Sequence, residues 1–187
     1  MTNTTTKTQD NIMKGILSKQ LEPAEIEVTG IENLDDFSKP LEISYTLTWT
    51  GFATVADNRM FIHPFVFQTK ALSPFTATER KNPIYFPFEH QDNDHLTIQF
   101  PPAYDLEVKV APQSHPGNIL SHTLKLSYSA KRHVLYVDRD LSSSLLAVKQ
   151  ANYTELKQWY DAVANTDQYQ LILAKTTVPV AANHPAP

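Results

Sequence analysis

The stretch NYTELKQWYDAVANTDQYQLILAK, residues 152–175, decides the fold. Tyr153, Leu156, Tyr160 and Val163 recur at intervals of three and four, so they lie along one side of a helix, which Trp159 and Ala164 widen. Asn152 followed by Glu155 predicts a capping box at the helix start, each side chain accepting from the other residue's backbone N–H. Asn165, a residue that tolerates the left-handed conformation, marks the expected end. Thr166-Asp167-Gln168 then turns the chain, and Tyr169 to Leu173 reads as a strand. Almost everything upstream alternates in the manner of β-structure. This single helix is therefore expected to seal one end or face of a sheet assembly.

The chain has 187 residues, enough for one ordinary domain that buries roughly 70% of its unfolded surface without help from disulfides or metals. There is no cysteine, which excludes a thiol nucleophile, a thiolate zinc site and a disulfide framework. Sixteen Lys and Arg against twenty Asp and Glu give a formal charge of −4 with no basic block, so a nucleic-acid partner is not expected. No stretch approaches the ~20 apolar residues of a membrane span, and Met1 to Thr6 lacks the basic start and apolar core of a signal peptide. Four glycines leave no phosphate-cradling loop, and no cofactor is expected.

In chain order, the polar, Thr-rich start (residues 1–11) reads as a disordered tail, and Ile12 to Leu21 as a short helix or linker over 12–22, ended by Pro23. Ile26 and Val28 begin a strand that Gly30 breaks. Leu41, Ile43, Tyr45, Leu47 and Trp49 give the cleanest period-two signal, and Gly51 closes it. Leu96 to Phe100, Tyr104 to Val110, Leu120 to Tyr128, Val134 to Val137 and Leu145 to Val148 follow as strands, with His115-Pro116-Gly117-Asn118 as a turn. Clean alternation with short connections predicts a mainly β fold, an antiparallel β-sandwich of about eight or nine strands. Residues 23–176 are expected to form one domain carrying the amphipathic helix near its C-terminus, with 177–187 a disordered tail.

Residues 59–88 hold six of the nine phenylalanines, interleaved with Pro64, Pro74, Pro83 and Pro87. Proline cannot donate to a ladder, so edge strands and long connections are expected there. Phe61, Phe65, Phe67, Phe75, Tyr85, Phe86 and Phe88 are the candidate binding residues, as a docking surface or as a sugar-stacking platform; the competing role for each ring is to fill the core. Glu89 to His95 concentrates oxygen and imidazole ligands, and Asp92 with Asp94 could begin a hard-cation site. The calcium-loop glycine and bidentate Glu are missing, however, so a hairpin turn is the expectation. His122 shares the phase of Leu124 and Leu126 and reads as a hydrogen-bonded core residue. Ser142, Ser143 and Ser144 near His133, Asp138 and Asp140 contain hydrolase ingredients without a nucleophile elbow.

Several of these features together resemble the C-terminal region of bacterial transglutaminase-like proteins. They are Lys39-Pro40-Leu41-Glu42-Ile43-Ser44-Tyr45, Arg80-x-x-Pro83, Phe100-Pro101-Pro102-Ala103-Tyr104, Val110-Ala111-Pro112, Tyr153-x-x-Leu156-x-x-Trp159-Tyr160 and Asp167-x-x-x-Leu171-Ile172-Leu173. The likeness runs over about residues 12–176, with Ala103 standing where the family usually has a glycine. In such proteins a β-rich domain precedes a papain-like core and a β-sandwich follows it. The resemblance implies a non-catalytic accessory domain, because the core's nucleophilic Cys has no counterpart here. It further implies the transglutaminase-like core domain as partner, in the same or another polypeptide, and a periplasmic or cell-surface setting. A carbohydrate- or peptide-binding module using residues 59–88 is the alternative.

Overall fold

The computed structural model describes residues 11–12, 14–17, 24–68, 73–107 and 113–176. The expected terminal tails, the end of the short N-terminal helix and the strand positions Val108 and Val110 lie outside them. The chain divides into two compact units, Met1–Phe52 and Ala53–Pro187. Among the described residues, eleven strands pair antiparallel in four sheets, with one long helix near the C-terminus and a short helical stretch at 14–17.

In the first unit β1 (Glu25–Glu32) pairs with β2 (Glu42–Thr48). Gly30 does not end β1. The register shifts between Val28 and Gly30, leaving Thr29 as an extra residue. That bulge explains an irregular sequence spacing, because it returns Ile31 to the apolar face after Ile26 and Val28, opposite Ile43, Leu47 and Tyr45 in turn.

The second unit contains β3 (Thr54–Ala56), β4 (Arg59–Ile62), β5 (Ile84–Tyr85), β6 (His90–Gln99), β7 (Tyr104–Leu106), β8 (Leu120–Ser129), β9 (Val134–Ser143), β10 (Ala147–Val148), α1 (Tyr153–Asp167) and β11 (Leu171–Lys175). One sheet runs β3-β4-β11-β7, so the last strand in sequence sits inside it, and its Leu171 and Leu173 are fully buried. A second runs β6-β9-β8, with β9 paired along its whole length on both sides. Leu135, Val137, Arg139 and Leu141 alternate inward on that central strand. The third is the short ribbon of β5 and β10.

Helix α1 buries Tyr153, Leu156 and Val163, as its spacing predicts. Tyr153 and Leu156 pack with Phe75 and Val148, and the half-buried Phe86 and Tyr160 close around them. Phe75 meets Phe86, Tyr153 and Tyr160 edge-on with centroids 6.4, 6.0 and 5.0 Å apart, and the Tyr153 hydroxyl donates to the Ala77 carbonyl at 2.7 Å. Two helix-end expectations are corrected. The capping box does not form: a 3-10 turn over Gln150–Asn152 leads straight into α1, and Asn152 takes φ −99°, ψ 7° instead of the extended conformation from which a capping side chain bonds. At the other end Asn165 lies inside the helix, which continues through buried Thr166 and Asp167 and closes at Gln168 with φ −80°.

The expected hairpin turn at residues 89–95 is also corrected. His90 to Asp94 is the first half of β6, paired residue by residue with Arg139 to Ser143. Asp and Asn prefer turns when nothing else competes; here Asp94 faces Arg139 across the ladder, and that pairing overrides the local preference.

Candidate functional site

The β5-β10 ribbon carries the apolar surface. Ile84 and Phe86 turn toward the helix, so alternation puts Tyr85 outside, and Phe88 follows Pro87 away from the core. Tyr85 pairs with Ala147, the Phe86 N–H donates to the Leu146 carbonyl at 2.9 Å, and the Ser144 N–H donates to the Ile119 carbonyl at 2.9 Å. These bonds tie together the backbone that carries three exposed apolar side chains, Tyr85 at 75% exposure, Ile119 at 56% and Leu146 at 53%, and Phe88, two residues beyond Phe86, is 66% exposed.

Beside this surface runs a groove of about 670 Å³ between the 115–120 turn, β10 and the first half of α1. Its apolar lining includes Ile119, Leu145, Val148, Leu156 and Trp159, and its polar lining Asn118, Lys149, Asn152 and Glu155. Trp159 stands edge-on to Tyr160 with centroids 5.1 Å apart.

A buried ionic cluster holds the far end of α1. Arg139 sits on the inward face of β9 with its side chain 3% exposed. Its Nε and Nη2 donate to the two Asp167 oxygens at 2.7 and 2.6 Å, and its Nη1 donates to Asp94 at 3.0 Å. A carboxylate in the last turn of a helix opposes the helix dipole, so this cation is what makes Asp167 acceptable there. His122 Nε2 lies 3.1 Å from Asp167, whereas buried His122 Nδ1 has no partner among the described residues. Burial pushes the Asp167 carboxyl up, but hydrogen bonds from His122 and Arg139 outweigh it and hold the group below the usual carboxylate range. The His115 ring stacks on that of His122 at 6.0 Å, and its Nε2 lies 3.3 Å from the Thr166 hydroxyl.

The candidates drawn from the sequence separate. Phe65 and Phe75 are core residues, Phe61 and Phe86 are half-buried, and Phe67, Tyr85 and Phe88 are exposed. Phe65 and Phe75 take the core-filling role and Phe86 packs against the Phe75 cluster, whereas Phe61 pairs with Ile172 on the face of β4 opposite buried Ile62. Asp92 bonds His90 at 3.0 Å, and Asp94 is taken by Arg139 and by Gln68 at 3.1 Å. Among the described residues no three His, Asp or Glu side chains converge as metal ligands would. His122 is the hydrogen-bonded core histidine that its phase predicts. The hydrolase ingredients have separate partners: His133 Nδ1 lies 3.2 Å from the Tyr104 carbonyl, Asp138 meets His95 at 2.8 Å, and Asp140 meets Asn93 at 2.5 Å. Burial and the Asp105 hydrogen bond push the Tyr128 hydroxyl up to about 12.

Arg139, Ile119 and Leu146 are not singled out by sequence, and Asp167 enters there only as a turn residue and as part of the resemblance. A cation in phase with Leu135, Val137 and Leu141 is the signal that would have found the first; the groove joins the 115–120 turn to residues 145–159, two stretches apart in sequence, and leaves no local signal.

A family model described as a domain of unknown function with a solved structure, DUF3858, matches residues 58–173. Among curated proteins none matches. A crystal structure of a protein named a putative protease, from Parabacteroides distasonis, is similar at 12% identity with a TM-score of 0.45. The similarity covers 84% of this chain and 25% of that one, so the chain spans about a quarter of that protein's length.

Proposed function

The chain belongs to the DUF3858 family, a family of unknown function, and we propose that it serves as a non-catalytic accessory domain that docks on a neighbouring domain. The observation that carries this reading is the exposed surface of Tyr85, Phe88, Ile119 and Leu146. Aromatic side chains fixed on short, hydrogen-bonded backbone lose little freedom on binding, and such anchors dominate interface energetics. The resemblance of Phe100-Pro101-Pro102 and Tyr153-x-x-Leu156-x-x-Trp159-Tyr160 to the region that follows a transglutaminase-like core supports that core as the partner and a periplasmic or cell-surface setting. The lack of cysteine and the separate engagement of His133, Asp138 and Asp140 support a role without catalysis.

Calorimetry of this chain against the separately expressed transglutaminase-like core tests the reading. Specific association weakened ~30-fold, about 2 kcal/mol, by Tyr85→Ser or Phe88→Ser is expected. Both side chains are exposed, so the variants should stay folded, as circular dichroism will check. No association at ~100 μM, about 5 kcal/mol of binding free energy, would refute docking.

A further inference from the structure

We propose that the groove beside α1 is a binding site for an uncharged sugar chain, a role that shares Ile119 with the docking surface but not its two aromatic anchors, Tyr85 and Phe88. At about 670 Å³ the groove is of the size that holds small ligands. Its floor, with Val148 and Leu156, is apolar. Around it stand Asn118, Lys149, Asn152 and Glu155, whose side chains have no hydrogen-bond or ion-pair partner among the described residues. That combination selects among ligands. A purely apolar ligand would strip water from four polar groups and satisfy none of them. An anion or cation would find an unpaired charge of its own sign, Glu155 or Lys149, in the same groove.

A pyranose matches both parts. Its C–H face is apolar and flat enough to lie on an indole, and its hydroxyls each donate and accept. Asn118 and Asn152 can do both in return, Lys149 donates and Glu155 accepts. Trp159 lines the groove, and its edge-on contact with Tyr160, which is held in turn by Phe75, fixes the indole before any ligand arrives.

The test uses the full chain carrying Trp49→Phe, which leaves Trp159 as the sole indole of the two. Its fluorescence is titrated with maltohexaose, cellohexaose, xylohexaose, mannohexaose and chitohexaose. A saturable response to at least one, with Kd about 1 mM or tighter, is expected. It should weaken at least about tenfold with Asn118→Ala and with Asn152→Ala, which lose no partner in the fold. No saturable response at ~10 mM overturns the proposal. So does a response that neither Asn variant moves, or one given only by an uncharged extended peptide. Phe88→Ser should leave the titration unchanged, so the failure of docking and the failure of sugar binding are read separately.

Discussion

Replacing Asp167 by Ala removes both bonds to the Arg139 guanidinium, at 2.7 and 2.6 Å, and the one side-chain hydrogen-bond partner of His122 among the described residues. Arg139 would remain buried with Asp94 alone, whose side chain is 24% exposed. Breaking a buried pair by removing one partner costs about 3–5 kcal/mol, and the retained Asp94 contact sets the expectation near ~3 kcal/mol. For a chain of this size that lowers Tm by about 6–12 °C. Urea denaturation gives the free energy, and the variants Arg139→Met, Asp167→Ala and Arg139→Met/Asp167→Ala close a thermodynamic cycle with the parent chain. The double loss should fall short of the sum of the single losses by at least ~1.5 kcal/mol, since no charge is then stranded in that pair. A loss below ~1 kcal/mol for Asp167→Ala, or additivity in the cycle, would refute the assignment. Acid supplies an independent check. The folded Asp167 carboxyl titrates below its unfolded value of 3.8, so its stabilisation is complete above that pH and is lost as pH falls through the folded value. Asp167→Asn should flatten the stability profile on that acid limb.

Three further outcomes follow from geometry. The hydrogen bond to Asp138, followed by smaller contributions from the surrounding carboxylates, raises the exposed His95 imidazole above 6.5; NMR titration should show this, and Asp138→Asn should lower the midpoint. Its stabilisation is present below 6.5 and lost as pH rises through the folded value. Leu173→Ala, at a fully buried position, is expected to cost about 2–5 kcal/mol, whereas Phe88→Ser on the surface should stay within about 0.5 kcal/mol, both by denaturant unfolding. A Cβ at Gly117 would overlap the Leu120 carbonyl oxygen, a backbone atom with little freedom to yield. Gly117→Ala should therefore cost about 1–3 kcal/mol in a melt.

Periodicity made the regular parts legible. The period of two over Leu41 to Trp49 and Leu120 to Tyr128 became β2 and β8, and the three-and-four spacing after Asn152 became α1. The mainly β, antiparallel class with one long helix follows from those signals alone. What stayed hidden depended on partners distant in sequence. His90 to Asp94 has the composition of a turn, and only Arg139, 45 residues beyond Asp94, makes a strand of it. Asp167 looked like a turn residue because the same arginine, 28 residues earlier, was not visible as its partner. At the site, composition located an aromatic segment but not which way its rings face. Phe75 turns to Tyr153 and Tyr160, Phe86 meets Phe75 edge-on, and Tyr85 turns outward because it alternates with its neighbours.

The position of β11 bears on how the protein is made. Strand β4 leaves the ribosome early, paired on one side by β3, while its other edge waits for residues 171–175, and among the described residues β7 has no strand partner until they arrive. The gap is roughly 110 residues, so at elongation rates of about 5–20 residues per second the nascent edge stands bare for about 5–20 s. Unpaired edges template association between chains. Vectorial synthesis thus leaves this sheet incomplete until the last strand emerges, and a chain released before Leu171 should be captured by chaperones or lost to aggregates, whatever the quality of its upstream strands.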